Sequence, residues 1–70
     1  SDTNELEDIV KKVLSENQNS VNDYKSGKQN ALKYLMGMIM KETKGSKKKK
    51  IVNDLLLDLL FMVFVTSMDY

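Results

Sequence analysis

Several residue types that carry enzyme chemistry are absent from this 70-residue sequence. It has no cysteine, so disulfide bonds and thiolate metal sites are excluded. It has no histidine, which removes the most frequent general base and the usual zinc ligand. No phosphate-binding loop, dinucleotide fingerprint or zinc spacing occurs either. We therefore expect no catalytic residue, no metal site and no cofactor in this chain, and a binding module rather than an enzyme.

The absence of proline and the short length favour a small helical domain. Proline would interrupt helices, and none is present. A chain of this size buries only about 60% of the surface that its unfolded form exposes, so there is no room for a deep cleft between two lobes. A helical bundle or a docking module fits these limits better.

Three stretches have apolar residues three or four positions apart, the spacing of one face of a helix. A short helix starting at Ser20 is expected between the first two, and the last helix is expected to start near Ser46. We predict an all-α fold, a small bundle of three main helices plus one short helix. The three stripes are Leu6, Ile9, Val10, Val13 and Leu14; Leu32, Leu35, Met36, Ile39 and Met40; and Val52, Leu55, Leu56, Leu59, Leu60 and Val63.

The longest apolar run, from Leu55 to Val65, does not predict a membrane span. It is roughly half as long as the ~20 residues that a spanning helix needs. Asp58 would also place a carboxylate in the hydrocarbon. The segment Phe61 to Thr66 has a strand-like composition, and we interpret it as the end of the last helix.

The basic residues are unevenly distributed. All eleven are lysines, and six lie between positions 41 and 50. A glycine inside a helix costs about 1 kcal/mol relative to alanine, so Gly37 needs compensation from close helix packing or from the close approach of a partner. Gly45 is predicted to end the third helix in a left-handed conformation. One sector of that helix, opposite Leu35 and Ile39, contains Lys33, Gly37, Lys41 and Lys44.

Two interpretations of the lysine cluster remain open from charge alone. The cluster is either a patch that contacts phosphates, with salt-dependent binding, or a solvated face that keeps an apolar bundle soluble. No aromatic residue is interleaved with the lysines, so stacking on single-stranded bases is not supported. Folded RNA that is contacted through its backbone is the better nucleic-acid ligand.

Two other groups of residues are weaker candidates for sites. Asp54 and Asp58 are four residues apart on one helix, and we interpret them as its polar side rather than as a metal or acid–base pair. Met38 lies off the main apolar stripe, so it is a candidate for an adaptable binding surface.

Three motifs in the middle of the chain resemble the tail domain of the GatB/YqeY family, and so does the final helix from Ile51. The resemblance covers roughly residues 5 to 60. The chain departs from it at positions 47–50, which are lysines in place of an Ala-Asn-Pro type cap, and beyond residue 60. We therefore divide the chain into a family domain (1–60) and a C-terminal extension (61–70) of unknown role. The motifs are Asp-Tyr-x-x-Gly-Lys at 23–28, Ala-Leu-x-x-Leu-x-Gly at 31–37 and Met-Lys-x-Thr-Lys-Gly at 40–45.

The resemblance implies a tRNA-binding accessory domain of an amidotransferase complex. That complex converts Glu-tRNA(Gln) or Asp-tRNA(Asn) to the amide, with ATP and Mg²⁺ in a cradle domain that lies outside this chain. Its partners would be tRNA and the other subunits, in the cytoplasm of a bacterium or in a mitochondrion or plastid. The resemblance suggests phosphate contacts at Lys25, Lys28, Lys41 and Lys44 and backbone roles for Gly27, Gly37 and Gly45, and the charge cluster adds Lys33, Lys47 and Lys48.

A protein-docking module is the alternative function. In that case the bundle would recruit another subunit through Met38 and the C-terminal apolar run. The two functions differ in their response to salt, because phosphate binding weakens steeply as salt rises whereas apolar docking does not.

Overall fold

The chain folds into four helices with no strand among the residues that the structure describes. In the computed structural model, the backbone is described for residues 2–67 and the side chains for residues 4–66. The helices are α1 (Asp2–Glu16), α2 (Gln18–Lys25), α3 (Gln29–Glu42) and α4 (Lys49–Ser67). Within this part of the chain, no helix is long and apolar enough to cross a membrane. The predicted all-α fold, with three main helices and one short one, is confirmed.

Helix α3 is the central element because it packs against all three other helices. Its Leu35 and Ile39 are completely buried, as the predicted stripe requires. The stripes of α1 and α4 meet it in one core, which Val21 of α2 also joins. The largest fully buried side chains are Leu35, Ile39, Leu56, Leu60, Val10, Val13 and Val52.

Helix α2 starts at Gln18, so the predicted start at Ser20 was wrong by two residues. A single residue, Asn17, separates it from α1. The Asn17 side-chain amide donates to the carbonyl of Val13 (2.8 Å), and the Gln18 amide donates to the carbonyl of Leu14 (3.2 Å). These polar side chains therefore satisfy the open carbonyls at the end of α1, and the chain turns directly into the next helix.

The turn after α2 confirms the predicted role of Gly27. The Gly27 N–H donates to the carbonyl of Tyr24, and the Lys28 N–H donates to the carbonyl of Asp23, both at 3.0 Å. This pair of bonds is a Schellman motif, which needs a left-handed residue directly after the helix. Gly27 has φ +104°, a value that side chains strongly disfavour.

The turn after α3 repeats this motif, but with lysine in the left-handed position. The Lys44 N–H donates to the carbonyl of Lys41 (3.1 Å), and the Gly45 N–H donates to the carbonyl of Met40 (3.0 Å). Lys44, with φ +56°, is therefore the first left-handed residue, and Gly45 follows it with φ +70°. Gly45 is left-handed as predicted, but the motif itself begins one residue earlier.

Helix α4 begins at Lys49, so the predicted start near Ser46 was wrong. The Ser46 N–H donates to the carbonyl of Thr43 (3.0 Å), which makes Ser46 part of the turn that closes α3. The first helical bond of α4 runs instead from the Val52 N–H to the carbonyl of Lys48 (3.1 Å). Lysine has no side-chain acceptor, so this helix starts without a side-chain cap from Lys48.

The C-terminal part of α4 is helical through Ser67, as interpreted from the sequence, and one of its faces packs against α2. The rings of Phe64 and Tyr24 stack with their centroids 5.9 Å apart and an interplanar angle of 28°. By contrast, Phe61 is 65% exposed. Residues 68–70, the end of the predicted extension, lie outside the described residues.

Two phenylalanines of this segment allow a matched test. We expect Phe64→Ala to lower the free energy of unfolding by about 1–3 kcal/mol, because it removes an aromatic stack and its buried area. Phe61→Ala should change it by less than about 0.5 kcal/mol, since that ring is mostly in water. Urea denaturation followed by circular dichroism measures both. Equal effects would show that the Phe64 stack does not stabilise the fold.

Two glycines should respond in opposite directions to the same substitution. Gly27→Ala is expected to destabilise the fold by about 1–2 kcal/mol, because a side chain at φ +104° is strained. Gly37→Ala is expected to stabilise it by about 1 kcal/mol, because Gly37 lies inside α3 and has open space around its Cα. Urea midpoints at constant m-value provide the comparison, and a destabilising Gly37→Ala would refute the second expectation.

Candidate nucleic-acid interface

The outer face of α3 presents the predicted basic sector to solvent. Lys33, Gly37 and Lys41 are exposed, whereas Leu35 and Ile39 on the opposite side are fully buried. Lys44 lies just beyond the end of the helix and is also exposed. The burial of one stripe therefore places the predicted lysines together on the opposite face.

A groove of about 680 Å³ separates α3 from α4. Met36 in its floor is almost fully buried, and Leu32 and Met40 are half-buried. Lysines stand on both sides, with Lys33 on α3 and a pair on α4. The groove is lined by Leu32, Lys33, Met36, Gly37, Met40, Lys49, Lys50 and Asn53.

Gly37 opens directly into this groove. A Cβ added to Gly37 would meet no atom within 4 Å, apart from the adjacent helix backbone. Close packing against another helix therefore does not explain the glycine within the described part of the chain. The remaining explanation from the sequence is the close approach of a partner's backbone.

The lysines at the start of α4 oppose the helix dipole. Lys49 and Lys50 form the first turn, and no acidic residue accompanies them there. A cation near a helix N-terminus is unfavourable by about 0.3–1 kcal/mol when it is exposed. Lys50 has only a loose ion pair with Asp54, at 4.0 Å. These charges are therefore not explained by the stability of α4.

The predicted lysines around the α2–α3 turn lie apart from this groove and have contacts within the bundle. The Lys25 ammonium lies 5.9 Å from the centroid of the Phe64 ring, a cation–π geometry. Lys28, at the N-cap of α3, is 3.8 Å from the Asp23 carboxylate. Gly27 shapes the turn between them. The structure thus separates the predicted site residues into two groups.

The second group extends around the α3–α4 turn. Lys44, Gly45 and Lys48 are exposed, and Lys47 is half-buried. Among residues 4–66, several lysines of the α3 face and this turn form no ion pair. They are Lys33, Lys41, Lys44, Lys47, Lys48 and Lys49.

Sequence reasoning missed three residues of the groove. Lys49 and Lys50 were recognised as part of the charge run, but only Lys47 and Lys48 were chosen as contacts. Asn53 carried no signal of its own. The predicted helix start at Ser46 concealed their position, because only the observed start at Lys49 shows that these two lysines form the first turn and face α3.

Two other sequence candidates receive little support. Met38 is half-buried and packs against the core, so it does not present a free binding surface. Asp54 and Asp58 are exposed on α4, consistent with its polar side. Within the described residues, no group of three or more carboxylates gathers that could hold a metal ion.

Comparison with known proteins decides the family. The family profile described as the GatB domain matches residues 1–60. The chain belongs to the GatB domain family. No solved structure gives a significant match.

The curated relatives are much longer proteins, all of them GatB subunits of an aspartyl/glutamyl-tRNA(Asn/Gln) amidotransferase. The relative from Clostridium acetobutylicum is 50% identical over 58 residues, which is 83% of this chain and 12% of the relative. The relative from Brachyspira hyodysenteriae is 50% identical over 60 residues, or 86% of this chain and 12% of the relative. The relative from Caldanaerobacter subterraneus is 52% identical over 56 residues, or 80% of this chain and 12% of the relative. The GatB domain described here thus spans about an eighth of the length of these proteins.

The charge at the start of α4 predicts an unusual gain of stability. Lys49→Glu should raise the free energy of unfolding by about 0.3–1 kcal/mol at low salt, because an anion is favoured in the first turn. Lys49→Gln should give a smaller gain, since it only removes the cation. At 1 M salt the charge-dependent part should vanish, because the Debye length falls to about 3 Å. Urea denaturation at both salt concentrations tests this, and a destabilised Lys49→Glu variant would disprove it.

Proposed function

We propose that this GatB domain binds tRNA through its lysine-rich α3–α4 surface, as an accessory domain of a tRNA-dependent amidotransferase. The parent protein would act with other subunits to convert Glu-tRNA(Gln) or Asp-tRNA(Asn) to the amidated product. The chemistry, with its ATP and Mg²⁺, would lie in other parts of that enzyme. The family match and the names of the relatives support this assignment.

The observation that carries the proposal is a group of cations that the bundle does not neutralise. In α1, Lys11 pairs with Glu7 at 3.1 Å and Lys12 pairs with Glu42 at 3.6 Å. The lysines of the α3 face and the following turn lack such partners within residues 4–66, and some oppose the dipole of α4. Phosphates would supply the missing negative charge, and the release of their counterions would favour binding.

Contacts to phosphate and ribose also fit the chemistry of lysine. Lysine is a flexible point charge that recognises phosphate, whereas bidentate reading of base edges is typical of arginine, which is absent here. Folded RNA is recognised largely through its shape and backbone. The lysine surface would therefore position tRNA rather than read its sequence.

A protein-docking function is the second candidate, and one observation favours it. On the C-terminal half of α4, Phe61, Met62 and Val65 are 65%, 61% and 47% exposed. Exposed apolar residues that cluster on one helix are typical of a protein contact. Met38 belongs to the core and does not extend this surface.

Salt-dependent binding to a tRNA transcript tests the proposal. The 70-residue chain should bind tRNA(Gln) or tRNA(Asn), and its affinity should fall steeply between about 50 and 200 mM salt, as is typical when several phosphates are contacted. The double variants Lys33→Ala/Lys49→Ala and Lys41→Ala/Lys44→Ala should each reduce the slope of log K against log salt by about 2, or about 1 per lost contact. Fluorescence anisotropy measures the affinity at each salt concentration.

Lys11→Ala provides the matched control, because it removes one cation from α1 away from this surface. Its slope should remain that of the unchanged protein, while Lys49→Ala alone should lower it by about 1. Equal effects of the two single variants would mean that net charge, rather than this surface, governs binding. If the folded chain binds no tRNA at low salt, docking through α4 becomes the better function.

A further inference from the structure

The groove between α3 and α4 has an apolar floor that phosphate contacts do not explain. A phosphate gains nothing from Leu32, Met36 and Met40, because apolar side chains offer it no hydrogen bonds. A purely electrostatic surface would need only the exposed lysines. The groove therefore has the form of a site for a group that is apolar at its centre and negatively charged at both sides.

We propose that this groove accepts one unstacked nucleotide from a loop of the bound RNA. The base would lie on the methionine and leucine floor, and its two flanking phosphates would meet Lys33 on one side and Lys49 and Lys50 on the other. The proposal rests on the RNA-binding function proposed above and specifies which part of the RNA this surface selects.

The dimensions and the chemistry of the floor suit a base. The volume of about 680 Å³ lies within the range of roughly 300–1,000 Å³ that is typical of small-molecule sites. Methionine thioethers are polarisable and make favourable contacts with ring systems, so they provide a surface for a base although no aromatic residue is present in the groove. Gly37 keeps the wall open, because no side chain projects there.

Asn53 provides a polar group beside this floor. It is half-buried, and its side chain makes no hydrogen bond to another residue within positions 4–66. A carboxamide has both donors and an acceptor, so it can bond to the edge of a base that leaves its stack. In a continuous A-form duplex the bases stay stacked and paired, and the major groove is too narrow for side chains. Only an unpaired nucleotide offers both its face and its edge.

The experiment compares two RNA probes in the presence of three proteins. The probes are a tRNA transcript and a fully paired RNA duplex with the same number of phosphates. The unchanged chain should bind the transcript at least about tenfold more tightly, which is at the low end of what one base contact contributes. Gly37→Leu, which fills the groove with a good helix former, should abolish that preference while leaving the duplex affinity and its salt slope unchanged. Gly37→Ala also removes the glycine but leaves most of the groove open, so it should retain the preference.

Several outcomes would overturn the proposal, and they separate it from the proposed function. Equal affinity of the unchanged chain for both probes would mean that only phosphates are recognised, so RNA binding would stand without the nucleotide site. A Gly37→Leu variant that keeps its preference, while circular dichroism shows it folded, would place the selectivity elsewhere. Absence of binding to either probe would refute both proposals and favour an acidic, amphipathic protein segment as the occupant of the groove.

Discussion

The burial of one stripe of α3 is the constraint on which the other features depend. Leu35 and Ile39 are completely excluded from solvent, and their helix contacts each of the other three. Since a helix has a fixed rotation per residue, burying this stripe determines which residues face outward. Lys33, Gly37 and Lys41 are exposed because the opposite side fills the core. The packing of α4 against this helix then creates the groove with its lysine rim.

Three locally unfavourable features meet around the α3–α4 connection. Gly37 weakens the interior of a helix, Lys44 has a left-handed backbone that costs a side-chain-bearing residue about 1–2 kcal/mol, and Lys49 opposes the dipole of α4. None of them is explained by packing within the described residues. Departures from locally favourable choices are expected at functional sites, where binding compensates for the loss. Their convergence on one surface supports placing the binding site there.

The C-terminal helix combines two roles in adjacent segments. Up to residue 60 it belongs to the part that matches the GatB domain profile, and its Val52, Leu56 and Leu60 fill the core. Beyond this point the helix continues to Ser67, and Phe64 still packs on Tyr24. Its other face leaves Phe61 and Met62 in solvent. The same helix thus contributes lysines to the groove at one end and an apolar surface at the other.

The sequence by itself determined the helical class, the core and the exposed lysine face of α3, because apolar spacing within one helix is a local property. It also predicted the left-handed Gly27. The beginning of α4 could not be predicted, because Ser46 has the chemistry of a cap yet bonds backward to Thr43 in the turn. Only the tertiary structure brought Lys49, Lys50 and Asn53 opposite Lys33 and Gly37. Their proximity depends on how two helices pack across a six-residue connection, and such packing is decided by side chains that are distant along the chain.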